Sequence, residues 1–571
     1  MDNLNPAAQV QHPTQIGTSV APLIRFLELP KVYWSFLAIL SLIGMAIAWF
    51  ASAKFGPGVG TDGVVYLSSA ENLLNGKGLV DYAGLPLFRW PPLYPATLAS
   101  LAWVGKTTTF KAGWFLNILL YSGMIWLGGL LLKKCFSDNV YWAYVGSLVI
   151  AASSSLLSLA VTINTDLLFI VLAWGFLLVA GYYYLAPTLW KLLTLAALAN
   201  LAAMNRYTGA TLAVTGFFLI LWVYRKNLRT GLATGLIFLF LSLISLAGWI
   251  IGHNYLLHHQ FVGVYDINRA YFFDNLTNSL EKVTHWFIPY SSFLFRYRSV
   301  LIGAGILLGT LLLFLDFTNK RQGQPFVKRV LQPFIFACIL FSGIYLVFIL
   351  ITASPKEISF PEYDRYQIVV LPCVLAIGFS ILEELIELVA KLISARSPLQ
   401  KYSSENAPAH DFKSTKFVYL AIGVGILVWF AYPIRNTFDY VEATRRLGET
   451  RYNLYNTPAL SQSKIIQIAK EISLQSSLAI YSNYPALAWF YLHRDVYPSP
   501  RDQSFLDGDI KKALDKYQGW PGEKPVYLIW FLPNTYHHVL DVKTLRKIVY
   551  TTPVYKGLDG EIYRVESRLP E

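Results

Sequence analysis

The feature that most constrains this chain is the recurrence of apolar runs of roughly twenty residues, each long enough to cross the hydrocarbon core of a bilayer as a helix. They fall at about 31–53, 113–132, 140–160, 166–186, 189–204, 207–224, 230–251, 299–317, 330–353, 367–390 and 417–433. In hydrocarbon every backbone N–H and C=O must be paired within the protein, so such runs fold as helices. The expected fold is mainly α, a polytopic membrane protein with about eleven transmembrane helices. Composition agrees: 55% of the 571 residues are hydrophobic and only 14% charged, against about 25% charged in soluble domains.

The net charge of +13 could suggest nucleic acid, but lysine and arginine in a membrane chain first report topology. With the N-terminus in the cytoplasm, basic residues are roughly twice as dense in the inner segments as in the outer ones, and include Lys133, Lys134, Arg225, Lys226, Arg229, Lys320, Arg321, Lys328 and Arg329. The charge is a topology signal, and no nucleic-acid partner is expected. Residues 1–30 then form a cytoplasmic tail without the pattern of a removable signal peptide. Residues 31–433 form the membrane domain, and 434–571 an extracytoplasmic domain. Two outer loops, 54–112 and 252–298, are too long for turns, and function concentrates in such loops.

Within the first loop, "DGVVYLSSAENLLNG" has helical spacing and "LYPATLASLAWVG" is apolar but too short to span. Both are expected to lie along the outer interface. The tail reads differently. "SKIIQIAKEISLQ" is an amphipathic helix, "SLAIYSN" and "PVYLIWF" are short buried strands, and "KIVYTTPVYKGLDGEIYRV" is two strands about a turn, which makes a small α/β domain. Cys135, Cys338 and Cys373 lie in or beside apolar runs without metal-ligand spacing, so neither a disulfide framework nor a zinc site is expected.

Polar residues gather at one level of this topology. Asp62 follows the first span and is flanked by Gly60 and Gly63, which permit close approach of backbone or substrate. It either caps the helix that begins nearby or does chemistry at the membrane surface, and its own segment leaves both open. Asp166 opens the fourth span, again as a helix cap or as a carboxylate facing a cavity. Arg89, Arg206, His253, Asn254, Asp364, Arg365 and Tyr366 fall at the same outer level, where an arginine fork suits phosphate oxygens. A shared site is the economical explanation for residues drawn from separate segments. His258 and His259 are adjacent rather than a turn apart, unlike paired metal ligands. The chain has no phosphate-binding or dinucleotide-binding glycine loop, nucleophile elbow or zinc-protease motif.

The order of these features resembles the GT-C superfamily of membrane glycosyltransferases, and most of all the protein O-mannosyltransferase and aminoarabinose transferase group. The resemblance runs over residues 31–440 through "TDGVVYLSSAENLLNGKGL", "FRWPPLYP", "INTDLLF", "NRYTG", the run from Trp249 to Gly263 and "DRYQIVVLP". It implies transfer of a sugar from a polyprenyl-phosphate carrier to an extracytoplasmic lipid, glycan or protein acceptor, at a bacterial plasma membrane. Asp62 matches the acidic residue that activates the acceptor, and Asp166 looks like the second acidic position. Arg89, Arg206, His253, Asn254, Asp364, Arg365 and Tyr366 are the expected substrate-binding residues. Two positions depart from the pattern: Trp90 stands where several relatives have a basic residue before the proline pair, and His253 where many have arginine. Some superfamily members use a divalent cation, but no acidic cluster in this sequence demands one, and neither nucleotide nor flavin is implied. Two other functions fit the topology. A transporter or flippase of a lipid-linked sugar would place polar residues near the bilayer midplane, and a non-catalytic envelope assembly protein would not need Asp62.

Overall fold

The computed structural model describes residues 26–261, 272–289, 292–318, 325–353, 360–395, 411–448, 455–506, 508–534 and 538–568. Most of the N-terminal tail, and residues 262–271 of the second outer loop, lie outside the described residues.

The apolar runs fold as helices. α1 (Pro30–Ser52) enters the bundle, and the first loop supplies α2 (Thr61–Leu74) and α3 (Leu93–Val104). Then come α4 (Thr109–Cys135), a bent pair α5 (Val140–Ala151) and α6 (Ser154–Ala160), α7 (Asp166–Leu185), α8 (Leu189–Asn205), α9 (Ala210–Val223) and α10 (Leu228–Gly248). The bundle continues with α11 (Phe272–His285), α12 (Arg298–Thr318), α13 (Pro333–Ala353), α14 (Phe360–Gln367), α15 (Leu371–Ala395) and α16 (Asp411–Leu447).

Among the described residues, seven helices are long and apolar enough to cross a membrane, or eight if the pair bent by 52° at 140–160 is one span. The protein is thus a multi-pass integral membrane protein. Eleven apolar runs do not translate into eleven full-length helices. α8 and α9 have 17 and 14 residues, or about 26 and 21 Å at the α-helical rise, against a core of about 30 Å. The last run is part of a 37-residue helix, Asp411–Leu447, with Pro433 inside it, so the helix continues past the end of the apolar run. A run of apolar letters reports burial in either lipid or protein, and short buried helices read like spans.

Helix direction gives the bundle two chemically distinct ends. Lys133 and Lys134 close α4, and Arg225, Lys226 and Arg229 lie at the α9–α10 turn, far along the chain from the ends that carry Asp166 and Arg206. Between the two ends the core holds Trp174, Tyr33, Phe176 and Phe341 among its largest buried side chains. Three buried, free cysteines lie close together there, Cys338 of α13 beside Cys135 of α4 and Cys373 of α15. Linear spacing gave no sign of that contact.

The tail is a mixed five-stranded sheet in the order β2-β1-β3-β5-β4. β1 (Ile480–Ser482) pairs in parallel with β2 (Val496–Pro498) and with β3 (Val526–Phe531), while β4 (Val549–Lys556) and β5 (Gly560–Ser567) form an antiparallel hairpin joined to β3. The strand-like segments of the sequence account for β1, β3, β4 and β5. This sheet does not stand apart from the membrane domain. Val64, Tyr66, Leu67 and Ala70 of α2 share one hydrophobic cluster with Ile465, Ile466, Ala486, Trp489 and Ile529 of the tail. Each of the larger aliphatic side chains in it contributes about 1.5–3 kcal/mol, so the tail and the first loop form a joint roof over one end of the bundle.

Candidate active site

Asp62 and Asp166 are brought together by backbone before any side chain is considered. Gly58 and Thr162 form an isolated parallel bridge, with the Gly58 N–H on the Val161 carbonyl at 2.7 Å and the Ile163 N–H on the Gly58 carbonyl at 2.9 Å. Gly63 completes the approach, because a Cβ there would lie 2.9 Å from the Ile163 carbonyl oxygen. The start of α2 therefore lies directly against the loop that leads into α7.

Asp166 sits in the first turn of α7, where the partial positive charge of the helix N-terminus favours a carboxylate. Its N–H donates to the Asn164 side chain at 2.9 Å, and its carboxylate pairs with the Arg206 guanidinium on one oxygen and with Arg365 Nε at 2.5 Å on the other. Arg365 then reaches Asp62 through Nη2 at 3.1 Å. Two carboxylates and two guanidiniums form one chain of charge, Asp62–Arg365–Asp166–Arg206, drawn from four segments. Exposure separates the two acids: 37% of the Asp62 side chain is open against 3% of Asp166. Neither acid caps its helix through the side chain, since the N-caps are Gly60 and Thr165.

Local sequence explains how each arginine is aimed. "NRYTG" ends α8 with Arg206 in extended conformation and then makes a short 3-10 turn at Tyr207–Gly209. A Cβ on Gly209 would stand 2.2 Å from the backbone of Ala202, so only glycine lets that turn fold back on the helix. Gly209→Ala should therefore lower stability by about 1–3 kcal/mol and disturb Arg206, measurable as a lower melting temperature with reduced transfer. "DRYQIVVLP" places Arg365 on α14 just before a 3-10 segment at Ile368–Val370, the kind of break Pro372 imposes by lacking an N–H. Trp174 Nε1 donates to the Val369 carbonyl at 2.7 Å and the Tyr345 hydroxyl to the Tyr366 carbonyl at 2.7 Å, which fixes the break. The Tyr366 ring lies 5.5 Å from Arg206 Cζ and 5.9 Å from Arg365 Cζ, and attraction between cation and ring face holds all three in one layer.

The remaining expected residues divide into two further groups. Asp364 is 1% exposed and is occupied by Ser155 Oγ at 2.6 Å, Trp286 Nε1 at 2.8 Å and Lys282 Nζ at 3.9 Å. It anchors α14 from behind. His253 and Asn254 lie on a π-helical stretch, Trp249–Leu256, that continues α10. His253 stacks on Trp249 with centroids 3.8 Å apart, while Asn254 Nδ2 donates to the Phe88 carbonyl at 3.4 Å and to that of Phe261 at 2.7 Å. The Tyr207 hydroxyl reaches the same Phe88 carbonyl at 2.7 Å. These groups clamp the chain before "RWPP" and leave Arg89 exposed on the wall of a neighbouring cavity, apart from the charge chain.

Sequence reading missed Tyr66, Ser155, Tyr207, Lys282 and Trp286. Tyr66 is buried beside the charge chain, and burial, reinforced by the nearby Asp62 carboxylate, raises its hydroxyl pKa above the usual tyrosine value. Its position one helical turn after Asp62 was the available signal. As to a metal, no three His, Cys, Asp or Glu side chains gather as ligands among the described residues, and Asp62 and Asp166 meet on a guanidinium. That donor set does not fit a divalent cation.

No family model and no curated protein matches this sequence. Solved structures do. The chain superposes on ArnT from Cupriavidus metallidurans bound to undecaprenyl phosphate at a TM-score of 0.50 and 14% identity, over 92% of this chain and 97% of that one. It also superposes on the archaeal oligosaccharyltransferase AglB from Archaeoglobus fulgidus, in complex with an inhibitory peptide and a dolichol-phosphate, at 0.50 and 11% identity over 92% and 74%. At such identities the likeness is one of architecture, and it covers the membrane helices and the roof alike. Over 92% of its length this chain has the fold of those two structures.

Proposed function

We propose that the protein is a glycosyltransferase that moves a sugar from a polyprenyl-phosphate carrier to an acceptor hydroxyl on the extracytoplasmic side of the membrane. The observation that carries this reading is the asymmetry between the two acids: Asp62 is open enough to reach a substrate, and Asp166 is buried between two arginines. Support for the carrier comes from the two structural neighbours, whose bound ligands are undecaprenyl phosphate and dolichol-phosphate.

The geometry supports the following roles. Asp62 accepts the proton of the acceptor hydroxyl as its oxygen bonds to the anomeric carbon. The bond from that carbon to the phosphate oxygen breaks in the same step, which inverts the centre and releases polyprenyl phosphate. Arg365 and Arg206 stabilise the charge that develops on the leaving phosphate. Asp166 serves by positioning: it holds both guanidiniums and keeps their buried charge compensated. Asp364, with Ser155, Trp286 and Lys282, sets the helix that carries Arg365.

The experiment that tests this reading incubates the purified protein with a panel of radiolabelled polyprenyl-phosphate sugars and envelope lipids. Consumption of one donor, with label in a new glycoconjugate, is expected. Movement of an intact donor across sealed vesicles without consumption would overturn it in favour of a flippase. In the proposed orientation the N-terminus is cytoplasmic and the tail roofs the outer face of a bacterial plasma membrane. Protease should then digest the tail in spheroplasts and spare it in inverted vesicles, and the opposite pattern would place the site on the wrong side.

A further inference from the structure

Beside the charge chain lies a second feature to which the roles assigned above give no part. A cavity of about 820 Å³ opens between the first loop and the tail, and Thr61, the residue before Asp62, is part of its lining. Its size lies within the range of small-molecule sites, about 300–1,000 Å³. Two guanidiniums stand on its wall, Arg89 from the loop and Arg501 from the tail. Both residues are exposed, and among the described residues neither has an ion-pair or hydrogen-bond partner for its guanidinium. The lining carboxylate, Asp81, is turned to the N–H groups of Ala83 and Leu85 at 2.9 and 3.0 Å, and burial raises its pKa. With two guanidiniums against one carboxylate, the lining carries net positive charge. Trp90 and Tyr484 add aromatic surface, and Trp90 is backed edge-on by Tyr66.

Positive forks combined with aromatic surface suit a ring-shaped, polar and anionic ligand: guanidinium pairs bind phosphate or carboxylate oxygens, and flat rings stack on sugar faces. We propose that this cavity is the acceptor subsite and that the acceptor is an anionic saccharide, held by Arg89 and Arg501 so that a neutral hydroxyl points toward Asp62. The inference rests on the transfer reading above and adds the class of acceptor. It also gives Arg89 a role apart from the carrier phosphate, which is assigned to Arg206 and Arg365, neither of them in the lining of this cavity.

The same cations could instead meet the phosphate of the carrier lipid, and a binding experiment separates the two. The full chain in nanodiscs is titrated with trehalose 6-phosphate, with trehalose, and with decaprenyl phosphate, as wild type and as the R89Q/R501Q and R89K/R501K variants. Wild type should bind the phosphorylated disaccharide at least about tenfold more tightly than trehalose, the factor that one charge-assisted contact supplies. R89Q/R501Q should erase that preference, R89K/R501K should retain most of it, and decaprenyl phosphate should bind all three proteins alike. No preference in the wild type, a preference that survives in R89Q/R501Q, or a tenfold loss of decaprenyl phosphate binding in that variant would each overturn the proposal. Because these readouts need no turnover, absence of transfer in the donor panel would fail the enzymatic reading while leaving the anionic saccharide site standing.

Discussion

Replacing Asp62 by asparagine should cut sugar transfer by roughly 10²- to 10⁴-fold, the range for loss of a general base. The amide keeps the size of the carboxylate and can still accept a hydrogen bond from Arg365, but it does not take up the acceptor proton. Carrier binding should survive, because the phosphate is assigned to Arg206 and Arg365. The opposite profile is expected of Arg365→Ala, in which weaker carrier binding accompanies the loss of transfer. Donor consumption and polyprenyl phosphate binding, measured on the same preparations, separate the two. Near-normal transfer by a folded Asp62→Asn protein would remove Asp62 from the chemistry and raise the flippase and assembly readings.

Asp166→Ala should act on stability first. The carboxylate lies between Arg206 and Arg365, all three largely buried, and removing one partner of a buried ion pair typically costs about 3–5 kcal/mol because the remaining charge stays desolvated. Here two cations lose that partner at once. A large drop in melting temperature is expected, along with loss of carrier binding, since Arg365 would keep Asp62 as its one carboxylate partner among the described residues. Asp166→Asn should be milder on packing and still unbalance the charge chain. An Asp166→Ala protein as stable and as active as wild type would show that the arginines are held by something else, and the positioning role would fall.

Legibility differed sharply between the parts of this molecule. The long helices, the existence of a helix at Asp62 and the strands of the tail follow from local rules, since periodicity and composition report helical and strand faces. Asp62, Asp166, Arg206 and Arg365 could be nominated because charged residues beside apolar runs are few. Asp364 was nominated on the same ground and differs in the folded protein: Ser155, Trp286 and Lys282 surround it and keep it from the opening. Arg89 was grouped with the other arginines, but the clamp of Tyr207 and Asn254 on the Phe88 carbonyl directs it to the neighbouring cavity.

Order along the chain was enough to establish a multi-pass membrane protein with polar residues at one level and a small sheet at the end, because hydrophobic run length and strand alternation are properties of contiguous residues. Which acid is open and which is buried was settled by folding. It depends on Arg365 lying 199 residues after Asp166 and 303 after Asp62, on Gly63 admitting the Ile163 carbonyl, and on a tail that shares its core with α2. Contacts across such separations arise from packing between segments that carry no mark of one another, and in this protein that packing buries one aspartate between two arginines and leaves the other partly open.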